Sequence, residues 1–136
     1  MNQSQTNTST EVLFLDANIL LEIILGREKQ AVARKTIEGQ RNQLCISSLT
    51  AHLVVHFGQS IVELPVLRKF LSDYTILSLE SSDFEWAFIN ARNKDFEDAL
   101  QLAVAVRNDC SEFLTLDKVL HKTYGDLLPI RTRLLS

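Results

Sequence analysis

Three aspartates stand where apolar runs end or begin. Asp16 follows Val12-Leu13-Phe14-Leu15, Asp117 follows Phe113-Leu114-Thr115-Leu116, and Asp98 leads Ala99-Leu100-Gln101-Leu102-Ala103-Val104-Ala105-Val106. The first two runs read as short buried strands and the third as the start of a buried helix. A carboxylate at the carboxyl end of a buried strand is partly stripped of water, which is unfavourable unless a cation meets it. In a parallel α/β sheet those strand ends are also where ligands bind. Three carboxylates in one crevice raise one another's pKa until a cation neutralises them. Mg2+ or Mn2+ does this with hard oxygen ligands and leaves bound water able to attack a phosphate. Taken singly, Asp16 and Asp98 also read as helix caps and Asp117 as the start of a turn. Their place at three element ends on one expected sheet edge favours the metal site.

Alternating strands and helices must position these acids. The pattern predicts strands at Val12–Leu15, Leu44–Ile46, Thr75–Leu79 and Glu112–Leu116, with a short fifth at an edge over Ile130–Thr132. Helices are predicted over Ile19–Leu25, ending at Gly26, over Glu28–Gln40, and over Leu49–Phe57 behind a Ser47 or Ser48 cap. Further helices are predicted over Ile61–Leu71, with Pro65 in its first turn, and from a Ser82 cap through Trp86, Phe88 and Ile89. The last begins near a capping Asp95, holds Asp98 in its first turn and runs to about Val106. Strands separated by one or two helices predict an α/β fold: three layers, with a central parallel sheet of four to five strands between helices. If the first and fourth strands are neighbours, Asp16 and Asp117 converge from adjacent tips. Asn18 can then aim its side-chain oxygen at the same space or cap the following helix.

Composition sets the bounds. The 136 residues, 46% apolar and 23% charged, suit one domain with a single sizeable core, with residues 1–10 as a polar disordered tail and 11–136 folded. No apolar stretch reaches the roughly 18 residues of a membrane span, and the first ten residues lack the pattern of a secretory signal. Cys45 and Cys110 have no paired spacing, which argues against a zinc motif or a disulfide scaffold and suits a reducing cytoplasm. The net charge of −3 gives no global attraction to nucleic acid. Arg27, Lys29, Arg34, Lys35 and Arg41 nevertheless face only Glu28 and Glu38 over Arg27–Arg41, a solvated helix face or a phosphate-binding rim.

With these residues in view, the chain resembles a family. Phe14-Leu15-Asp16-Ala17-Asn18-Ile19-Leu20-Leu21 resembles the opening motif of PIN domains, and Cys45-Ile46-Ser47-Ser48-Leu49-Thr50 their middle strand-to-helix junction. Asp95-Phe96-Glu97-Asp98-Ala99-Leu100 and Phe113-Leu114-Thr115-Leu116-Asp117-Lys118 resemble their closing pair of motifs. The similarity covers nearly all of residues 11–133 and is greatest to small bacterial toxin ribonucleases of toxin–antitoxin pairs. The resemblance implies a Mg2+- or Mn2+-dependent endoribonuclease acting on RNA, homodimeric, and inhibited by an antitoxin that occupies its active-site groove. It implies Asp16, Asp98 and Asp117 as catalytic, metal-coordinating acids, with Asn18 and Thr115 in support; Asp95, three residues before Asp98, is a further supporting candidate from its spacing.

The chain departs from the family in the middle motif. A glutamate is expected on the helix after Ser-x-x-Thr, yet Thr50-Ala51-His52-Leu53-Val54-Val55-His56 holds no acid, and Leu53 takes its position. His52 or His56 could supply a nitrogen, Glu22 or Asp95 a carboxylate, or the site is weakened. Two readings therefore stand: a metal-dependent ribonuclease, and a degenerate PIN fold that binds RNA or a protein partner without efficient cleavage. Phe84, Trp86 and Phe88 make one helix face, read as core or dimer interface, and Phe57 and Phe70 read likewise. His52 and His56 read as surface or satisfied histidines.

Overall fold

The computed structural model describes residues 11–40, 42–127 and 129–136. The expected tail, residues 1–10, lies outside them. In chain order the elements are β1 (Val12–Leu15), α1 (Ala17–Ile24), α2 (Gln30–Glu38), β2 (Gln43–Ser47), α3 (Ser48–Gly58), α4 (Leu64–Leu71), β3 (Thr75–Leu77), α5 (Ser81–Asn90), α6 (Phe96–Arg107), β4 (Glu112–Thr115), α7 (Lys118–Tyr124) and β5 (Arg131–Leu134). The strands form one sheet in the order β3-β2-β1-β4-β5, every pairing parallel. This is the expected α/β architecture, with the fifth strand at an edge.

The continuous apolar runs have their reason in this layering. Leu13 and Leu15 of β1, Ile46 of β2 and Leu114 of β4 enter one core cluster together with residues of α1 to α4. Phe14, Cys45 and Phe113 point to the other face, into a cluster with Leu102, Val104, Leu120 and Tyr124 from α6 and α7. Phe14 and Phe113 are register partners, and their rings stack with centroids 5.3 Å apart. Each such buried side chain contributes about 1.5–3 kcal/mol over leaving it in water. Cys45 and Cys110 are free, buried thiols of the second cluster.

Element ends follow local chemistry. Gly26 closes α1 with φ +60°, a conformation that glycine adopts without strain. At Gly58 a Cβ would lie 2.7 Å from Leu67 Cδ2, so glycine sets how closely α3 approaches α4. Helix α4 starts at Leu64 rather than Ile61, because Pro65 belongs to its first turn and disfavours helix before it. The cap of α5 is Glu80, not Ser82: the Glu80 N–H donates to Asp83 at 2.8 Å, and Arg107 clamps the buried Asp83 through two bonds of 2.9 and 3.0 Å. Helix α7 was not anticipated from the sequence, although Leu120 and Tyr124, four apart before Gly125, carry its signal. Among the described residues no helix is long and apolar enough to cross a membrane.

The chain steps outward from β1 through β2 to β3, then returns to the other side of β1 for β4 and β5. The connections therefore diverge between β1 and β4, and a crevice at such a switch point is where open α/β sheets bind ligands.

Candidate functional site

Asp16 and Asp117 stand at this switch point, each the N-cap of the helix after its strand. Backbone pairing runs past β1, with Asp16 N–H donating to Leu114 C=O at 2.9 Å. Asp16 Oδ1 accepts the Ala17 N–H at 2.8 Å, and Oδ2 accepts the Thr115 hydroxyl at 2.8 Å and the Asn18 amide at 3.0 Å. The Asn18 side-chain oxygen accepts the Leu116 N–H at 3.2 Å, and Thr115 Oγ1 accepts the Asp117 N–H at 3.0 Å. Asn18 and Thr115 thus stitch the tips of β1 and β4 together and fix the Asp16 carboxylate. An ionised carboxylate offers about four lone-pair positions, so three bonds leave Asp16 room for one further partner.

Asp117 Oδ1 accepts two N–H groups, from Val119 at 2.8 Å and Leu120 at 3.2 Å. Its second oxygen has no hydrogen bond among the described residues, which leaves it open to the crevice. Asp98, in the first turn of α6, is half-buried and receives a long bond of 3.4 Å from Asn93. Asp95 caps α6 through the Glu97 N–H at 3.1 Å and is itself exposed.

The electrostatics tie the elements together. Burial pushes the Asp16 carboxyl up to about 6, against the Thr115 and Ala17 bonds, and the charges of Asp117 and Glu97 add to the rise. Burial pushes Asp98 up to about 7, with Asp95, Asp16 and Asp117 adding repulsion. The Asp117 charge bears on both Asp16 and Asp98, and Asp16 bears on Asp98, as expected of carboxylates near one crevice. Glu97, which the sequence reading did not single out, is raised by burial and by Asp95, and its charge bears on Asp16. The signal was its place directly before Asp98.

Of the other candidate donors, Glu22 lines a cavity of about 330 Å³ together with Asn18 and Asp117 but is engaged there, and the two histidines are turned away. Glu22 accepts the Lys29 N–H at 2.9 Å and pairs with Arg27 at 3.8 Å. His52 and His56 stack on each other, centroids 5.8 Å apart, on the exposed face of α3. Leu53 is half-buried but packs into none of the core clusters. Trp86 packs against the second cluster, whereas Phe84 and Phe88 are exposed and so are not core. The donors left in the crevice are hard oxygens, which suit Mg2+ or Mn2+. Among the described residues no three His, Cys, Asp or Glu side chains already close into a metal-holding group.

A model of the PIN domain matches residues 13–126. No curated protein matches the sequence. Among solved structures, a toxin–antitoxin complex from Klebsiella pneumoniae is similar at a TM-score of 0.70 and 21% identity, over 85% of this chain and 92% of that one. DNA-bound VapBC from Salmonella typhimurium is similar at 0.65 and 16%, over 91% and 98%. Mycobacterium tuberculosis VapC20, described as a sarcin-ricin loop cleaving toxin, is similar at 0.63 and 13%, over 81% and 93%. At these identities the structures speak for the fold alone. With the family model spanning most of its length, the chain belongs to the PIN domain family.

Proposed function

We propose that this PIN domain is a metal-dependent endoribonuclease that hydrolyses RNA phosphodiester bonds. The observation that supports it best is that Asp16, at the β1–β4 switch point, and Asp98, at the start of α6, are both raised first by burial and further by the charge of Asp117. Asp16 and Asp117 would hold a Mg2+ or Mn2+ ion through their remaining oxygen positions, with Asp98 closing from α6. Bound there, such an ion supplies positive charge beside the scissile phosphate and lowers the pKa of water. A closed protein cage is not required, because Mg2+ commonly binds through one or two carboxylates plus waters and substrate phosphates. Asn18 and Thr115 keep the Asp16 carboxylate in one orientation, Asp95 supports Asp98 as the cap of its helix, and Glu97 adds the carboxylate that α3 lacks. The test is cleavage of single-stranded RNA that appears with Mn2+ and stops on chelation. Cleavage indifferent to chelation would sink the proposal.

The absence of an acid on α3 favours a second reading, a PIN fold that binds RNA or a protein without efficient cutting. Leu53→Glu tests whether an acid at that position would reach the site. If Leu53 faces the crevice, the added carboxylate should raise Mn2+ affinity about tenfold or more, read by calorimetric titration. Unchanged affinity in a folded variant would show that the position does not reach the site.

The similarity to toxin–antitoxin complexes supports an antitoxin as partner. A groove of about 740 Å³ between α3 and α4, lined by Val55, Leu64, Pro65 and Leu71, gives such a partner an apolar seat. Exposed Phe84, Phe88 and Ile89 on α5 support a homodimer. Two free thiols and no membrane-crossing helix among the described residues suit a cytoplasmic setting.

A further inference from the structure

Gln101 is 1% exposed, a degree of burial unusual for an amide side chain. It lies three residues beyond Asp98 on α6, on nearly the same helix face. Its Oε1 accepts the Ser47 hydroxyl at 2.7 Å, and its Nε2 donates to Thr50 Oγ1 at 2.8 Å. Ser47 ends β2 and caps α3, where its Oγ also accepts the Thr50 N–H at 3.1 Å. All three side chains are buried, so each depends on the others for its hydrogen bonds.

The neighbours of Gln101 on α6 are Ala99, Leu100, Leu102, Ala103, Val104 and Ala105, all buried and apolar. Apolar contact is non-directional and tolerates small rotations of the helix. The Gln101 amide is directional. Asp98 needs such a reference, because successive residues on a helix differ by about 100° and its own hydrogen bond is long.

We propose that Gln101 is a positioning residue. Its amide tethers α6 to the β2–α3 junction and so sets the helix rotation at which Asp98 faces Asp16 and Asp117. In this chain the junction that carries no acid contributes to the site through the α6 tether instead. The inference rests on the metal-site reading above.

The test measures Mn2+ affinity by calorimetric titration and melting temperature side by side, for the wild type, Gln101→Met, Thr50→Val and the double variant. Each single change strands a buried polar partner and should lower both quantities, the Mn2+ affinity by about tenfold or more. The double change removes Thr50 Oγ1 and its donor together, so melting temperature recovers part of the loss while Mn2+ affinity stays down. A purely structural role predicts the reverse, affinity recovering with stability, and that result overturns the tether. Wild-type affinity in folded single variants overturns it as well, and Thr50→Val decides the matter if Gln101→Met does not fold. A wild type that binds no Mn2+ overturns the metal site itself, and the tether with it.

Discussion

Asp16→Asn should reduce Mn2+-dependent cleavage of single-stranded RNA by about 100-fold or more while leaving the protein folded. The asparagine oxygen can still accept the Thr115 hydroxyl and the Asn18 amide, as Asp16 Oδ2 does. Its amide nitrogen then replaces the oxygen that accepts the Ala17 N–H, and losing such a cap costs about 1 kcal/mol. Removal of a 7%-exposed charge offsets that loss. Stability should therefore change little while the charge that would hold the cation disappears. Cleavage at the wild-type rate would assign the activity to another site or to a contaminating nuclease.

The second large effect is a pH dependence of the metal-free protein. Asp16 and Asp98 are both raised above the ordinary aspartate value, to about 6 and about 7. The native state therefore binds more protons than the unfolded chain between about pH 4 and pH 7. The stability linked to these two groups is fully present below about pH 4 and is lost as pH rises through their native values. For the buried Asp16 the loss is on the order of 3 kcal/mol, and for the half-buried Asp98 screening makes it smaller. In chelator, the melting temperature of the wild type should fall by about 10 °C relative to an Asp16→Asn/Asp98→Asn variant between pH 5 and pH 8. Mn2+ should reverse the fall in the wild type alone, because binding favours the charged carboxylates. Parallel melting curves for the two proteins across that range would contradict the raised Asp16 and Asp98 carboxyls, and with them the burial and charge crowding that raise them.

Most of the scaffold was legible because period and termination agree. The strands β1 and β4 are covered on both faces, so Val12–Leu15 is an unbroken apolar run and Phe113–Leu116 is interrupted only by Thr115, and an aspartate that caps the next helix follows each run. Asp16 and Asp117 are read from the same two facts. What the sequence hid depends on three-dimensional placement. Helix α7 is short, and its Leu120 and Tyr124 gain their meaning from the core they enter. The capping Glu80 is fixed by the clamp between Asp83 and Arg107 on two separate helices. Glu97 looks like any first-turn acid until α6 is laid across the sheet, where its charge reaches Asp16. Gln101 looks like one polar residue in an apolar helix, and its partners Ser47 and Thr50 lie about fifty residues upstream. Phe84 and Phe88 share a helical face with no sign of whether it is core, and the structure leaves them exposed.

On the proposed function, Asp16, Asp98 and Asp117 converge on one divalent cation. Crystals grown with Mn2+ and measured for anomalous scattering test it most directly. An anomalous peak is expected within coordination distance of Asp16 and Asp117, with Asp98 drawn in from α6 directly or through water. A well-ordered crystal with an empty crevice, or with Mn2+ bound only at His52 and His56, would contradict it.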